Sequence, residues 1–400
     1  MIFQHRSCRY ICLSVIMLVI LTCTSNVRSV SAATIVVDTT ADEDIDNGLC
    51  SLREAIEAAR IDAEYHGCDA GSGADVITLP AGTYTLTFGS RLLIGTDVTI
   101  TGDDPETTII QASECDPVAE TCAHTQQVFW TVSPAIITLN NLTIRHARNI
   151  INTNGGAIYN TSDLTITYSI ITANEAYNGA GIVNSGTLVI ENSIFSENIA
   201  PDFAGGAILN SGSLNISKST LSENSAHVGG AIHNQGTLTI TNSTISGNTA
   251  PDSRGGGIDN YGTATLTNCT LSENSSSLGD GIFNFIDATF NFSNTIIANS
   301  LTDQDCANDG TIGTNLNNLV EDGTCNATFT GDPLLGELGN NGGPTQTHAL
   351  MNGSSAIDNG NLAACPGTDQ RGATRPQGDG CDIGAFERGA NFIFLPLIMK

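Results

Sequence analysis

The chain has 400 residues, of which 42 are glycine, 14% are charged and 40% are hydrophobic, and this apolar share is large enough to exclude an intrinsically disordered chain. Its 14 Lys and Arg residues face 41 Asp and Glu residues, giving a formal net charge of −27. Because a phosphate-binding surface needs clustered basic side chains and the sequence has no such cluster, nucleic acid is excluded as an expected partner.

Residues 1–32 are typical of an export signal. Two arginines precede an apolar run of about a dozen residues, and small residues follow. We expect cleavage after Ala32 or Ala33, which leaves a mature chain without a transmembrane span, since the apolar run is short for one. Cys23 offers lipid attachment as an alternative, although Thr22 before it departs from the small-residue pattern. The sequence therefore predicts a secreted or cell-surface bacterial protein.

Nine cysteines follow that signal, and in an exported protein they are expected to form disulfides. Cys269 is left without a sequence neighbour and falls in a serine column of the repeat described below, so we expect a buried free thiol there. Without a C-x-x-C pair, a metal site is disfavoured. Pairing sequence neighbours gives Cys50–Cys68, Cys115–Cys122, Cys306–Cys325 and Cys365–Cys381.

A helix is predicted near the start of the mature chain, inside an N-terminal cap that we place at residues 33–74. Ser51 and Glu54 have the spacing of a capping box. Leu52 and Ile56 lie on one apolar face of the same segment. We expect this short helix to cover the first coil of a solenoid, whose open end would otherwise expose unpaired strands.

A repeat of roughly 25 residues dominates residues 155–300 and identifies a solenoid. Each of its six units opens on a Gly-Gly-Ala-Ile-like phrase, and the spacing between units is 24 or 26 residues. The two-residue excesses coincide with Pro201-Asp202 and Pro251-Asp252, which are interpreted as loop insertions. The repeated isoleucines are Ile158, Ile182, Ile208, Ile232, Ile258 and Ile282.

Each unit contains three short strand-like phrases separated by Asn, Gly and Ser. At a constant repeat such strands cannot fold as consecutive hairpins, whereas stacking each unit on the next pairs every backbone group. The sequence thus predicts an all-β, right-handed parallel β-helix over residues 75–300, with less regular coils before 155. Residues 301–388 are expected to form a disulfide-bound C-terminal region, and 389–400 an apolar tail that is either a last strand or a sorting signal.

Two further columns and two asparagine rows are predicted from the repeat. The second inward column runs through Leu164, Leu188, Leu214 and Leu238, and the third through Ile171, Phe195, Leu221, Ile245, Leu271 and Ile296. Asparagine tolerates left-handed corners and can hydrogen-bond to the asparagine above and below. The structural row is Asn160, Asn184, Asn210, Asn234, Asn260 and Asn284, and a second row is Asn174, Asn198, Asn224, Asn248, Asn274 and Asn299.

The outward positions show no catalytic constellation, so no catalytic residue is predicted. In the first strand only His233 and Asp259 ionise, on adjacent coils roughly 5 Å apart, and such a surface pair is more often incidental. The second strand offers a flat polar face without acids. Those outward columns are Tyr159, Val183, Leu209, His233, Asp259 and Phe283, and Thr165, Val189, Asn215, Thr239, Thr265 and Thr289.

Two charged groups remain. An acidic stripe of Glu197, Glu223 and Glu273 in the third strand could hold Ca²⁺, although a solvated face is the commoner reading, and no cofactor is otherwise expected. The densest charge cluster lies in the C-terminal region, where ion pairs are expected to tie loops together. Its members are Asp369, Arg371, Arg375, Asp382 and Glu387.

Three segments resemble known families. The run from Cys50 to Ala55 resembles the hallmark of the CSLREA domain of exported bacterial β-helix proteins. The Gly-Gly-Ala-Ile phrase, with Phe195 to Asn198, resembles the repeats of chlamydial polymorphic outer-membrane proteins. Segments between Asp332 and Glu387 resemble a choice-of-anchor domain. These resemblances imply a secreted or surface β-helix, possible association with the outer membrane, and adhesion, and they supply no catalytic residues.

We therefore expect a monomeric surface protein that binds glycans or host or neighbouring cell surfaces without catalysis. The alternative is a polysaccharide lyase or glycoside hydrolase on a pectate-lyase-like β-helix, with its site in the Pro201 and Pro251 loops. Several acids and a basic residue converging on one face would favour the enzyme, and a flat, acid-poor face would favour the binding protein.

Overall fold

A computed structural model describes residues 32–123, 125, 127–151, 155–302 and 304–389. The predicted export signal and the apolar tail lie outside these ranges, apart from one residue of each. Within the described ranges no helix combines the length and the hydropathy needed to cross a bilayer.

The predicted parallel β-helix is confirmed. Three long parallel sheets run along it, named here sheets I, II and III in the order in which each turn visits them, and a short sheet IV follows sheet III in the regular turns. Each strand pairs in parallel with its counterpart one turn on. Sheet IV was not predicted. Its inward residues are small alanines such as Ala176 and Ala200, and these do not produce the alternation of large apolar and polar residues by which a strand is recognised in a sequence.

The strands of each sheet are as follows. Sheet I consists of Leu92–Ile94, Phe129–Thr131, Ile158–Asn160, Ile182–Asn184, Ile208–Asn210, Ile232–Asn234, Ile258–Asn260, Ile282–Asn284 and Cys306–Asn308. Sheet II consists of Thr34–Val36, Asp75–Leu79, Val98–Gly102, Ile136–Asn140, Asp163–Thr167, Thr187–Glu191, Ser213–Ser217, Thr237–Thr241, Thr263–Thr267, Thr289–Ser293 and Thr311–Leu316.

The other two sheets have shorter strands. Sheet III consists of Gly82–Thr85, Thr108–Gln111, Thr143–Arg145, Ile170–Thr172, Ile194–Ser196, Thr220–Ser222, Thr244–Ser246, Thr270–Ser272, Ile296–Ala298 and Leu319–Val320. Sheet IV consists of Arg148–Asn149, Glu175–Ala176, Ile199–Ala204, Ser225–Val228, Thr249–Arg254 and Ser275–Leu278.

Sheets I to III continue past residue 300, where the solenoid was expected to end. Cys306 pairs with Ile282 in sheet I, and Leu319 pairs with Ile296 in sheet III. This last turn lacks the Gly-Gly-Ala-Ile phrase, and a cysteine occupies the isoleucine position, so the repeat could not be recognised there.

The core consists of the predicted inward columns. The six repeated isoleucines of sheet I are fully buried and lie directly over one another, and burying a side chain of this size stabilises the fold by about 1.5–3 kcal/mol. Two positions were wrong. The third column ends on Ile297, with Ile296 pointing outward, and the outward column of sheet II ends on Asn291 instead of Thr289. Two extra residues in the turn before Thr289 cause both shifts.

The asparagine row that ends the strands of sheet I is fully buried. Each side-chain amide donates to the Oδ1 of the asparagine one turn on at 2.7–2.8 Å, from Asn160 to Asn308. The backbone there is that of an extended strand, so the expected left-handed corner is wrong and hydrogen bonding alone accounts for the row. Asn299 does not belong to the second row. Ala298 pairs with Ser272, so Asn299 lies over the corner residue Glu273 instead of Asn274, and it has φ 55°.

The N-terminal helix extends over Leu52–Ile61 and is capped by Ser51. The predicted capping box is confirmed, because Glu54 N donates to Ser51 Oγ and Ser51 N donates to Glu54 Oε2. Leu52 and Ile56 are buried, and the helix packs against the first strands of sheets I and II. It therefore covers the N-terminal end of the core.

Disulfides join four cysteine pairs: Cys50–Cys68, Cys115–Cys122, Cys306–Cys325 and Cys365–Cys381. Cys269 is free and fully buried. Burial raises the pKa of its thiol to about 12.

After sheet III ends, the chain folds back along the outer face of that sheet. This C-terminal region contains an antiparallel hairpin, Leu335–Gly339 with Thr347–Leu350, and short 3-10 turns lie at Thr324–Asn326 and Leu362–Ala364. It is held by hydroxyl groups of sheet III. Thr220 Oγ1 donates to Gln346 O at 2.7 Å, and Thr244 Oγ1 donates to Gln370 Oε1 at 2.7 Å. The outer face of sheet III is thereby covered over several turns.

Candidate functional site

The outward column of sheet I runs along nine turns, roughly 40 Å at about 4.8 Å per strand. Parallel pairing places each of its members directly over the next. In order, the column is Leu93, Trp130, Tyr159, Val183, Leu209, His233, Asp259, Phe283 and Ala307.

His233 and Asp259 form a close pair in this column. His233 Nδ1 lies 2.7 Å from Asp259 Oδ2, and the Asp259 side chain is fully buried. Since the carboxylate can only accept, His233 donates from Nδ1, and in the neutral ring Nε2 is the acceptor that faces the Gln235 side chain. A histidine fixed by a buried aspartate in this way can serve as a proton acceptor.

Arg254 completes the pair and was missed in the sequence. Its Nε lies 3.1 Å from the second carboxylate oxygen of Asp259, so the buried charge is compensated. Arg254 ends the strand Thr249–Arg254, which contains the Pro251-Asp252 insertion. That insertion was expected to form a surface loop. It lies instead in a strand of sheet IV, which places Arg254 beside sheet I, and the sequence repeat does not mark this position.

The exposed edge of the cluster is polar. The His233 side chain is only 7% exposed, and its Nε2 lies 3.1 Å from the Gln235 side-chain nitrogen. Ser211 Oγ in turn donates to Gln235 Oε1 at 3.1 Å. Gln235 and Ser211 are both exposed, so a ligand would reach His233 by displacing the Gln235 amide.

Aromatic rings lie next to the cluster. The Tyr261 and Phe285 rings stack with centroids 4.2 Å apart, and His233 lies 5.3 Å from Tyr261. The Arg254 guanidinium lies 5.3 Å from the Tyr261 ring centroid and 5.4 Å from that of Phe285, within cation–π distance. These rings are half-buried and leave an edge on the surface.

A second aromatic group lies nearer the N-terminal end of the same column. Trp130 and Tyr159 have ring centroids 5.8 Å apart, and the Arg91 guanidinium lies 4.0 Å above Trp130. The outer face of sheet I therefore has aromatic and polar side chains on two stretches, separated by the aliphatic Val183 and Leu209.

Comparisons with known proteins agree with this architecture. The family model for a right-handed β-helix region matches residues 154–329. The chain is a right-handed parallel β-helix. No curated protein matches it significantly.

Two solved structures are similar to the β-helix. One is the crystal structure of pectate lyase Pel9A, with a TM-score of 0.53 and 13% identity over 90% of this chain and 98% of that chain. The other is the A-module of the mannuronan C-5 epimerase AlgE6 of Azotobacter vinelandii, with a TM-score of 0.31 and 13% identity over 72% of this chain and 92% of that chain.

Sheet II of the β-helix presents a flat face of small polar side chains. Its central outward positions pair in register from turn to turn, and they include no ionisable residue among the described strands from Ile136–Asn140 onward. That column is Thr138, Thr165, Val189, Asn215, Thr239, Thr265 and Asn291.

The acidic stripe lies at corners instead of in strands. Glu197, Glu223 and Glu273 have φ values of 54°, 57° and 59° and directly follow the strands of sheet III. Among the described residues, the group of potential metal ligands within 4.8 Å of one another is Asp44, Glu54 and His66. There Glu54 already accepts from backbone amides at the helix cap. Calcium at the glutamate corners stays a prediction.

The C-terminal charge cluster is brought together by ion pairs. Arg375 lies 2.9 Å from Glu387 with both side chains buried, and Arg371 lies 2.7 Å from Asp369. Burial raises the pKa of Asp382, in the same cluster, to about 6. These groups also bond to backbone atoms of neighbouring loops, so their role is to hold the C-terminal region together.

Proposed function

We propose that this β-helix is an exported protein that binds glycans through the outer face of sheet I. The observation that carries the proposal is the aromatic cluster around His233, Asp259 and Arg254, whose side chains are fixed by mutual contacts within 2.7–3.1 Å. Fixed side chains lose little conformational entropy when a ligand binds, which favours affinity.

The chemistry of the face suits a sugar. A sugar ring has an apolar C–H face that can pack on the edge of Tyr261 and Phe285, and hydroxyl groups that can pair with Gln235 and Ser211. Aromatic side chains combine large contact area with a polar group in this way. Most of the column itself is buried, so an extended polymer would contact the row next to it, where Ser211, Gln235, Tyr261 and Phe285 reach the surface on successive turns.

Charge indicates the class of glycan. With a net charge of −27 and only 14 basic residues in the whole chain, the protein repels polyanions over a long range. We therefore propose neutral glycans as the ligand class.

Export and adhesion complete the proposal. Four disulfides are typical of an oxidising compartment, in agreement with the predicted export signal. The resemblance to the CSLREA domain, to the polymorphic outer-membrane repeats and to a choice-of-anchor domain supports a cell-surface position. Glycans of a host or neighbouring cell are then natural partners.

A second candidate function is polysaccharide cleavage, favoured by the short contact between His233 and Asp259. A lyase or hydrolase would use His233 Nε2 as the proton acceptor, with Asp259 holding the ring. However, cleavage sites of this kind need further acids near the scissile bond, and Asp259 is the one carboxylate in the outward column of sheet I. Binding without cleavage is therefore preferred.

One experiment separates the two. The mature protein and its His233→Ala variant are applied to an array of neutral and acidic glycans, and bound polysaccharides are then assayed for new reducing ends. Binding without new reducing ends supports the proposal. Reducing ends that appear with the native protein and disappear with His233→Ala select the enzyme, and no binding to any glycan overturns both.

A further inference from the structure

A groove with a volume of about 290 Å³ lies on the outer face of sheet III, on the turns that the C-terminal region leaves uncovered. It is named here the sheet III groove. Ile170 and Ile194 form its floor, Tyr168 and Asn192 its side, the segment 104–106 one end, and Pro344 of the C-terminal region the other.

The side of the groove continues a row of left-handed corner residues between sheets II and III. Where the C-terminal region covers this row, each asparagine donates its side-chain amide to a backbone carbonyl of that region. The bonds are Asn242 to Thr368 O at 2.8 Å, Asn268 to Asp382 O at 3.0 Å, Asn294 to Asn361 O at 3.1 Å and Asn317 to Asn359 O at 2.9 Å.

Asn192 belongs to the same row, with φ 51°, but it faces the open groove. It is 9% exposed, and its side-chain amide has no hydrogen-bond partner among the described residues. Neither atom of that amide is both unpaired and fully buried, so solvent reaches it from the groove. A ligand that supplies an acceptor to Asn192 takes the place of this solvent.

The floor of the groove differs from the covered part of sheet III. Beneath the C-terminal region the equivalent outward residues are Thr220 and Thr244, whose hydroxyls bond to polar groups. In the groove they are replaced by Ile170 and Ile194, and the corner residue Tyr168 is 49% exposed. The groove thus offers an apolar floor and an aromatic ring in place of the hydroxyls that hold a polypeptide backbone.

Carboxylates lie at the far end. Asp104 and Glu106 are exposed, and their loop is held against sheet III because Thr143 Oγ1 donates to Pro105 O at 2.6 Å. Carboxylates accept from pairs of hydroxyls and repel acidic ligands. The lining residues include no basic side chain.

We propose that the sheet III groove is a binding subsite for one neutral hexose unit of a glycan. The apolar face of the sugar packs on Tyr168 and the two isoleucines, and its hydroxyls bond to Asn192 and to the carboxylates of 104 and 106. This site lies on a different sheet from the His233 cluster, so it goes beyond the function proposed above and can fail independently of it.

The test uses the mature protein with cellohexaose, mannohexaose and hexagalacturonate, and with a peptide of residues 366–371, the stretch that Asn242 holds. Two variants preserve the left-handed corners. Tyr168→Asn installs the residue of the neighbouring turns, and Asn192→Asp removes the amide donors without changing size. Tyr261→Ser on sheet I is the matched control, and binding is followed by calorimetry.

We expect at least one neutral hexaose to bind in the groove, and each groove variant to weaken that binding about tenfold or more. Tyr261→Ser should keep the groove binding and weaken only the binding on sheet I. Thermal unfolding of the variants shows whether the fold is kept. The proposal is overturned if no neutral hexaose binds, if hexagalacturonate or the peptide binds in preference, or if only Tyr261→Ser weakens binding. That last result leaves the function of sheet I intact.

Discussion

His233 Nδ1 lies 2.7 Å from Asp259 Oδ2, although 26 residues separate the two in the chain. Parallel stacking creates this contact, because each turn places a residue directly above its counterpart. A β-helix therefore converts a sequence period into a linear array of side chains.

Replacing Asp259 with Asn is expected to destabilise the protein by about 3 kcal/mol, since it removes the carboxylate that balances the charge of Arg254 and accepts the hydrogen bond of His233 Nδ1. Chemical denaturation measures the effect. The matched control is Asp163→Asn, at an exposed carboxylate of sheet II, which should change the free energy of unfolding little. Equal effects of the two substitutions would contradict the assigned role of Asp259.

Replacing Asn210 with Ala interrupts the buried asparagine row. The change leaves the Asn184 amide without its acceptor at 2.8 Å and the Asn234 oxygen without its donor at 2.7 Å. We expect a loss of about 2 kcal/mol or more in the free energy of unfolding. Asn215→Ala, at an outward position of sheet II in the same turn, is the control and should be nearly neutral. A nearly neutral Asn210→Ala would show that the row does not stabilise the solenoid.

Cys269 should be inert in the folded protein. Its thiol is fully buried, and the pKa of about 12 leaves almost no thiolate at pH 8. A thiol reagent should therefore label it only after unfolding. Cys269→Ser should fold normally, because serines fill the same column at Ser193, Ser219 and Ser243. Rapid labelling of the native protein would contradict the buried position.

Stability should depend on pH through Asp305. Burial, together with the neighbouring Asp322 and Glu321, raises the pKa of Asp305 to about 6, against about 3.9 in an unfolded chain. The folded state then binds more protons between about pH 4 and pH 6, so this group makes the free energy of unfolding fall as pH rises through that window.

Asp305→Asn should remove that fall. The melting temperature of the variant relative to the native protein should rise from pH 4 to pH 7, whereas the exposed control Asp309→Asn should show no such trend. A constant difference across the window would mean that the carboxyl titrates at its ordinary pKa.

The sequence predicted the core well, because inward residues repeat at 24 or 26 positions and each turn has the same chemistry. It failed where an insertion changed the count, as at Ile296, and where the pattern ends. The return of the C-terminal region over sheet III could not be predicted, since contacts such as Thr244 to Gln370 join segments 126 residues apart without a shared period.

The candidate site was predicted only in part. The stacking of His233 on Asp259 follows from the repeat, but the contact of Arg254 with Asp259 and that of the Tyr261 ring with His233 do not. Arg254 reaches the pair through the strand with the Pro251 insertion. Insertions interrupt a repeat, so a residue placed by an insertion, such as Arg254, does not recur at the repeat spacing and cannot be recognised from it.

The central claim, glycan binding on the outer face of sheet I, is tested most directly by measuring the affinity of Tyr261→Ser for the neutral glycan that binds the native protein best on the array. Serine occupies the equivalent position at Ser185 and Ser211, so the fold should be kept. Phe203→Ala, at an exposed ring of sheet IV that stacks on Tyr177, is the control. The account predicts about tenfold weaker binding or more for Tyr261→Ser and native affinity for Phe203→Ala. Native affinity for Tyr261→Ser would contradict it.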